Sequence, residues 1–244
     1  MERSDLLCPG GYRIFYDDAL FPPGTDSFLL SAFPALKPGL RVCDLGSGTG
    51  LLSTLLLQRQ PRMTVTGVEL LPRAAALARR GAEANGLTDR QTVLEGDLRS
   101  IRDLLPAGSF DLVVCNPPYY PAGSGALSAD DSRRAARSET ACTLEDVCRA
   151  AAYLLRWGGS FCLVHKPERL TDLLCALRPA GLEPKRLRLT EVRPGRAPSL
   201  VLLECRRGGK PGLTVLPPLV LETPDGRPTP ELNAIYFRTT EETP

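Results

Sequence analysis

The chain predicts a doubly wound, Rossmann-like α/β fold with a mostly parallel sheet, and three observations carry that expectation. From Arg41 onward, short apolar runs of strand length alternate with helical stretches. A glycine-rich loop, Gly46-Ser47-Gly48-Thr49-Gly50, joins the first run to a helix. Four polar residues, Asp44, Glu69, Asp97 and Asn116, recur where successive runs end. Strand ends of this kind form the rim at which open α/β sheets bind their ligands.

Taken in order, residues 12–16 follow a Gly-Gly pair and suit a short hairpin arm. Gly24-Thr25-Asp26 precedes an apolar run from Phe28 to Phe33, with Thr25 or Asp26 as the expected helix N-cap. Strands are expected at 41–45, 64–69, 91–95, 110–115 and 159–165. Helices are expected between and after them, at 50–59, 72–85, 99–105, 140–156 and 168–178. Pro72 suits the first turn of its helix, where a missing N–H costs nothing. Two further runs, 185–193 and 199–206, are joined by Pro194-Gly195-Arg196-Ala197-Pro198 and should pair antiparallel at the sheet edge. That makes seven strands. Residues 209–244, rich in Pro, Gly and Thr, read as an irregular tail packed on the same domain. The expected division is an arm and cap helix over 1–40, a core over 41–208 and the tail over 209–244.

At 244 residues the chain is long enough for one large core. Its hydrophobic content of 43% and charged content of 24% are those of a soluble globular protein. There is no long apolar stretch, so neither a secretory leader nor a membrane span is expected. The eight cysteines are scattered without a Cys-x-x-Cys pair, and Cys43, Cys115 and Cys162 lie inside apolar runs. They read as reduced core residues of a cytoplasmic protein. The net charge of +2 does not by itself announce a nucleic-acid partner.

The loop after the first strand argues for a particular ligand. A dinucleotide fingerprint has the spacing Gly-x-Gly-x-x-Gly and places a pyrophosphate on the helix N-terminus. Here the spacing is Gly-x-Gly-x-Gly, and Asp44 precedes it. A carboxylate there repels a pyrophosphate and suits a ligand with a cationic amino-acid end, as in S-adenosylmethionine. Glu69, 25 residues after Asp44, is placed to hold the two hydroxyls of a ribose. Asp97 is placed to accept from an adenine amino group.

The fourth expected strand ends in Asn116-Pro117-Pro118-Tyr119. The Asn116 side-chain oxygen and the Pro117 carbonyl can each accept one N–H of a single NH2 group. The two prolines restrict the backbone that presents them, and Tyr119 offers a ring face to a flat substrate. An amino nitrogen conjugated with a ring is a poor nucleophile. Two acceptors favour the positive charge that develops on it as it is alkylated. Catalysis is then expected from positioning by Asn116, Pro117 and Tyr119, with no dedicated base and no metal.

Residues 41–120 resemble the class I S-adenosylmethionine-dependent methyltransferase core, and the Asn-Pro-Pro-Tyr segment is similar to that of enzymes that methylate NH2 groups. The whole chain resembles bacterial tRNA adenine-N6 methyltransferases that act beside the anticodon of a valine tRNA. Phe21-Pro22-Pro23-Gly24-Thr25-Asp26, Ala136-Arg137-Ser138-Glu139, Val164 to Arg169 and Thr229-Pro230-Glu231-Leu232 carry that narrower likeness. Ser138 stands where the family has His. The resemblance implies a seven-stranded methyltransferase sheet and S-adenosylmethionine as cofactor. The cofactor pocket it implies comprises Thr25, Asp44, Gly46, Ser47, Gly48, Glu69, Leu70, Asp97, Leu98 and Asn116. It implies a tRNA partner and no membrane partner.

For RNA, the candidate contacts are Tyr120, Arg133, Arg134 and Arg137 beyond the acceptor motif, and Arg193 and Arg196 in the edge hairpin. Lys185, Arg186 and Arg188 are further candidates. The loop 121–135, dense in Gly, Ser and Ala, is expected to close over a substrate. The single histidine, His165, has no partners at metal-binding spacing and reads as structural or as a simple RNA contact. Four other readings compete. A protein glutamine methyltransferase presents the same NH2 chemistry but usually carries an N-terminal helical domain, and about 40 residues precede the loop here. A DNA adenine methyltransferase would want a larger recognition region. A nicotinamide-dependent oxidoreductase would want the longer glycine spacing. A non-catalytic RNA-binding module would leave Asp44, Glu69 and Asn116 unexplained together.

Overall fold

The computed structural model describes residues 1–17, 23–117 and 142–238. Strands β1 (Glu2–Leu6) and β2 (Arg13–Asp17) form an antiparallel hairpin, the arm expected from the Gly-Gly turn. Helix α1 (Thr25–Ala32) follows. The alternation then runs β3 (Arg41–Leu45), α2 (Leu51–Arg59), β4 (Thr64–Glu69), α3 (Pro72–Ala84), β5 (Gln91–Glu95), α4 (Ile101–Leu104) and β6 (Phe110–Cys115). After it come α5 (Leu144–Leu154), β7 (Leu155–His165), α6 (Leu170–Leu177), β8 (Leu182–Glu191) and β9 (Leu200–Arg207). The tail adds β10 (Thr214–Val215), β11 (Leu219–Val220) and α7 (Pro230–Ile235).

The main sheet has the order β10-β8-β9-β7-β6-β3-β4-β5, with β11 also on β8. Strands β3 to β7 are parallel neighbours, and β9 runs antiparallel to both β7 and β8. This is an α/β fold with a mostly parallel sheet, as expected, but the sheet has nine strands among the described residues rather than seven. The antiparallel β8–β9 pair is not the edge either, because β10 and β11 pair with the outer side of β8. The tail read as irregular supplies those two strands and a helix capped by Thr229, whose hydroxyl accepts from Leu232 N. Pro- and Gly-rich composition hid segments only two residues long, which carry no periodicity to detect.

The side-chain alternation of the central strands sorts the core into two layers. Val42, Leu112, Val114, Cys162 and Val164 face one way and pack with α1, α2, the arm and tail residues Leu219 and Ile235. Cys43, Val113, Cys115, Phe161 and Leu163 face the other way and pack with α5 and α6. Strands β3, β6 and β7 are therefore apolar on both faces, the signature of a sheet covered by helices on both sides. All eight cysteines are free thiols.

Helix boundaries follow local chemistry. Pro72 does open α3. The first helix, however, is capped by Gly24 and not by Thr25 or Asp26, with no side-chain cap bond. The Thr25 hydroxyl is used elsewhere: it meets Tyr236 Oη at 3.1 Å. The helix expected over 140–156 is α5, which starts only at Leu144. Thr143 and Asp146 form a reciprocal capping box there. It stops at Leu154 because Leu155 already pairs with Phe110 in the sheet. Among the described residues, no helix is long and apolar enough to cross a membrane.

Candidate active site

The parallel register fixes where the polar strand ends meet. Asp44 pairs with Gly67 of β4 on one side and Val114 of β6 on the other. One residue on, Leu45 pairs with Cys115. Asn116, which follows Cys115, is thus one strand spacing, roughly 5 Å, from the start of the glycine loop. Glu69 ends β4 opposite Glu95, and Asp97 lies two residues past β5. The four residues singled out along the sequence stand along one rim.

The loop itself needs its glycines. Gly46, Gly48 and Gly50 have φ of 70°, 55° and 81°, a left-handed region costly for other residues. A Cβ on Gly46 would meet nothing within 4 Å, so its backbone presents an open face to a ligand. Beneath the loop, Gly46 N and Ser47 N both donate to Val68 O, at 2.9 and 3.1 Å. Ser47 is buried, and its Oγ has no hydrogen-bond partner among the described residues. It sits so close to β4 that a Cβ on Gly67 would fall 2.7 Å from that Oγ. Gly67→Ala is therefore expected to push the loop off the strand. A loss of about 1–3 kcal/mol in stability, as for other overpacked sites, should appear in denaturant unfolding, with weakened cofactor binding by calorimetry.

Two carboxylates dominate the electrostatics. Asp44 is 1% exposed, and its Oδ2 accepts from Ser53 Oγ at 2.7 Å. Burial lifts its pKa to about 7, the Ser53 bond opposes that rise, and the charge of Glu69 adds to it. Glu69 accepts from Gly48 N through Oε2 at 2.7 Å and from Leu71 N through Oε1 at 2.8 Å. Burial raises its pKa too, against those backbone bonds. The Leu70 N–H also acts on this carboxylate, and the acceptor capacity left over is available to a ligand hydroxyl. Burial disfavours the charged form of both carboxylates, and a cation arriving beside them would favour ionisation.

Asp97 is differently placed. Arg99 donates to it from N at 2.8 Å, from Nε at 2.9 and 3.1 Å, and from Nη2 at 2.6 Å. The Arg99 side chain is what holds the Asp97 carboxyl below its usual pKa. A ligand N–H at Asp97 has to compete with that fork. Leu70 is exposed and Leu98 half-buried beside these acids. Thr25 is exposed at the start of α1.

On the acceptor side, Asn116 is half-buried and Pro117 buried. Asn116 Nδ2 donates to Ser27 Oγ at 3.2 Å, which joins the strand end to α1. Pro118, Tyr119, Tyr120, Arg133, Arg134, Arg137, Ser138 and the loop 121–135 lie outside the described residues. Arg193 and Arg196 stand in the β8–β9 turn. That turn lies at the rim end, because β9 starts at Leu200 beside Thr190 and His165 pairs with Val201. Both are exposed, and Arg193 pairs with Glu222 of the tail at 2.9 Å. The other basic candidates are engaged with the protein. Lys185 donates to Lys210 O, Arg186 to Phe33 O, and Arg188 to both Glu231 oxygens.

His165 is 1% exposed, and its Nδ1 accepts from Lys166 N at 2.8 Å. Burial, reinforced by Arg169, lowers its pKa to about 4, so it is neutral at pH 7. That is a structural imidazole rather than a surface RNA contact. Among the described residues, no group of three or more His, Cys, Asp or Glu is gathered as for a metal ion. Ser53 and Ser27 were not legible as site residues from sequence. Ser27 immediately follows Gly24-Thr25-Asp26 in the chain.

The chain is similar to known methyltransferases. The chain is 37% identical over 191 residues to the tRNA1(Val) (adenine(37)-N6)-methyltransferase of Porphyromonas gingivalis, covering 75% of this chain and 73% of that protein. It is 31% identical to the protein of the same name from Tolumonas auensis, over 92% of each. The crystal structure of Atu636 from Agrobacterium tumefaciens, described as a predicted O-methyltransferase, superposes with a TM-score of 0.72 at 24% identity. That match covers 87% of this chain and 96% of Atu636. Residues 19–172 match the model of the methyltransferase small domain, a span that holds the glycine loop, Glu69, Asp97 and Asn116. With rim, loop and acceptor motif all inside that match, the chain belongs to the methyltransferase small domain family.

Proposed function

We propose that the protein transfers a methyl group from S-adenosylmethionine to an exocyclic amino nitrogen, N6 of an adenine in tRNA. The observation that supports this reading is the β3–β6 register, which brings Asp44 and the start of the glycine loop beside the strand end that Asn116 follows. S-adenosylmethionine brings a methyl group activated as a sulfonium and an ammonium at its amino-acid end. Asp44 takes the ammonium end, the open backbone at Gly46 lets the ligand approach, and Glu69 takes the ribose hydroxyls. Asp97 accepts the adenine amino group once Arg99 yields, and Thr25, Leu70 and Leu98 complete the pocket. Asn116 Oδ1 and the Pro117 carbonyl accept the two N–H groups of the substrate. Together they orient its nitrogen and stabilise the positive charge that grows there. Tyr119 stacks on the extruded base, a contact typically worth about 1–3 kcal/mol.

An amide NH2 would satisfy the same two acceptors, so the clamp does not distinguish adenine from glutamine. What supports adenine in tRNA is the shared name of the relatives, one of which aligns over nearly its whole length. Tyr120, Arg133, Arg137, Arg193 and Arg196 are the proposed RNA contacts. The test is tritiated methyl transfer into total tRNA, total protein and duplex DNA, with nucleoside mass spectrometry of the labelled pool. Label is expected in tRNA as N6-methyladenosine. Label confined to protein would sink the tRNA reading, and no label in any pool would sink methyl transfer.

A further inference from the structure

We infer that Ser27 is a positioning residue that sets the Asn116 amide with its oxygen toward the substrate. This rests on the methyl-transfer reading above. A carboxamide has two ends of nearly the same shape and opposite chemistry, and its terminal torsion is broad and roughly two-fold. A substrate amino group that donates two N–H bonds needs the oxygen end. Asn116 Nδ2 donates to Ser27 Oγ at 3.2 Å, across 89 positions of sequence. With Nδ2 engaged there, Oδ1 lies on the opposite side of the amide carbon.

The anchor is itself held. Ser27 is buried in the first turn of α1. The Tyr236 hydroxyl meets Thr25 Oγ1, and its ring stacks on Phe28 with centroids 4.3 Å apart and planes 6° off parallel. Further along α1, Ser31 Oγ donates to Phe28 O at 2.7 Å and accepts from Arg59 Nε at 2.9 Å. Arg59 Nη2 in turn donates to Ile235 O at 2.6 Å. Thr25, Phe28 and Ser31 recur at helical spacing as a stripe bound to the tail and α2. Ser27, one residue off that stripe, is thereby fixed relative to the end of β6. The tail thus supports the acceptor half of the site through α1.

The hydroxyl is isolated by comparing Ser27→Thr, which keeps it, with Ser27→Val, which has the same shape without it, and Ser27→Ala. In the cofactor-free full-length protein, the Asn116 side-chain NH2 resonances, assigned with Asn116→Ala, are expected to move and exchange faster in the Ala and Val variants. They should stay near the parent positions in Ser27→Thr. Single-turnover methyl transfer is expected to fall about ten- to a hundredfold in the Ala and Val variants and to stay within about threefold in Thr, the scale of lost orientation. The cofactor Kd should not change in any of them. Unmoved Asn116 resonances in Ser27→Ala overturn the proposal, as do equal rates in Thr and Val, or a loss that appears in cofactor affinity instead of turnover. A parent chain that labels no acceptor overturns the transfer reading alone, and the resonances still decide the Ser27 contact.

Discussion

Replacing Asn116 by alanine is expected to lower turnover about a hundred- to a thousandfold, the scale seen when one preorganised electrostatic partner is removed from an active site. The cofactor Kd should change far less than turnover, because the Asn116 side chain only borders the cofactor pocket and its two acceptor–donor roles are toward the substrate and Ser27. The strand that carries it is not at risk. β6 is hydrogen-bonded to β3 on one side and β7 on the other, and Asn116 lies just beyond its last paired residue. Truncation therefore removes two functions at once: the Oδ1 acceptor and the tie to Ser27. Asn116→Asp keeps an acceptor for the substrate, and its carboxylate can receive the Ser27 hydroxyl proton, so the tie reverses direction rather than being lost. It should retain more turnover than alanine. Single-turnover methyl transfer at saturating cofactor, with calorimetric titration alongside, makes the measurement. Normal turnover with lost cofactor affinity would contradict the role assigned to Asn116.

The parallel core was legible because most of its strands are apolar runs separated by helices with boundary signals of their own. Strand β3 with Asp44 and the glycine loop, and β6 with Asn116, fell where periodicity placed them, since both features are local in sequence. What stayed hidden depends on distant pairing. The Ser27–Asn116 contact, the Ser53–Asp44 bond and the fit of Ser47 against Gly67 join residues with no spacing rule between them. The N-cap of α1 was misplaced for the same reason. Thr25 looked like a local cap, but its hydroxyl is engaged by Tyr236 from the far end of the chain. Arg186 and Arg188 read as candidate RNA contacts because charge is visible in sequence, whereas their partners Glu204 and Glu231 became visible only in three dimensions.

Asp44→Asn should separate binding from stability, and in opposite directions. Burial, opposed by Ser53 and reinforced by Glu69, raises the folded pKa from 3.8 to about 7. Across the window between those values the unfolded chain has released the proton while the folded chain still holds it. Folding stability therefore declines as pH rises from about 4 to 7, then levels off with the full cost in place. At about 1.4 kcal/mol per pKa unit, that cost is on the order of a few kcal/mol above pH 7. The uncharged amide escapes it, so the gain in melting temperature of the cofactor-free variant should be larger at pH 8 than at pH 5. Binding responds the other way. A cationic ligand must find Asp44 ionised, so the parent's cofactor Kd should rise about tenfold between pH 8 and pH 6 by the same linkage. Glu69, also raised by burial, pushes in the same direction. The variant loses a charge-assisted contact worth about 1.5–3 kcal/mol, roughly a ten- to hundredfold weaker Kd at pH 8, with a flatter pH dependence. Calorimetry and thermal melts at three pH values test both arms. A variant that binds as tightly as its parent would show that Asp44 does not hold the ammonium. One with no stability gain at high pH would show that the carboxylate is already compensated inside the protein. The predicted opposition follows from a single placement: a carboxylate buried beside another is a liability to the empty fold and becomes an asset only when a cation arrives.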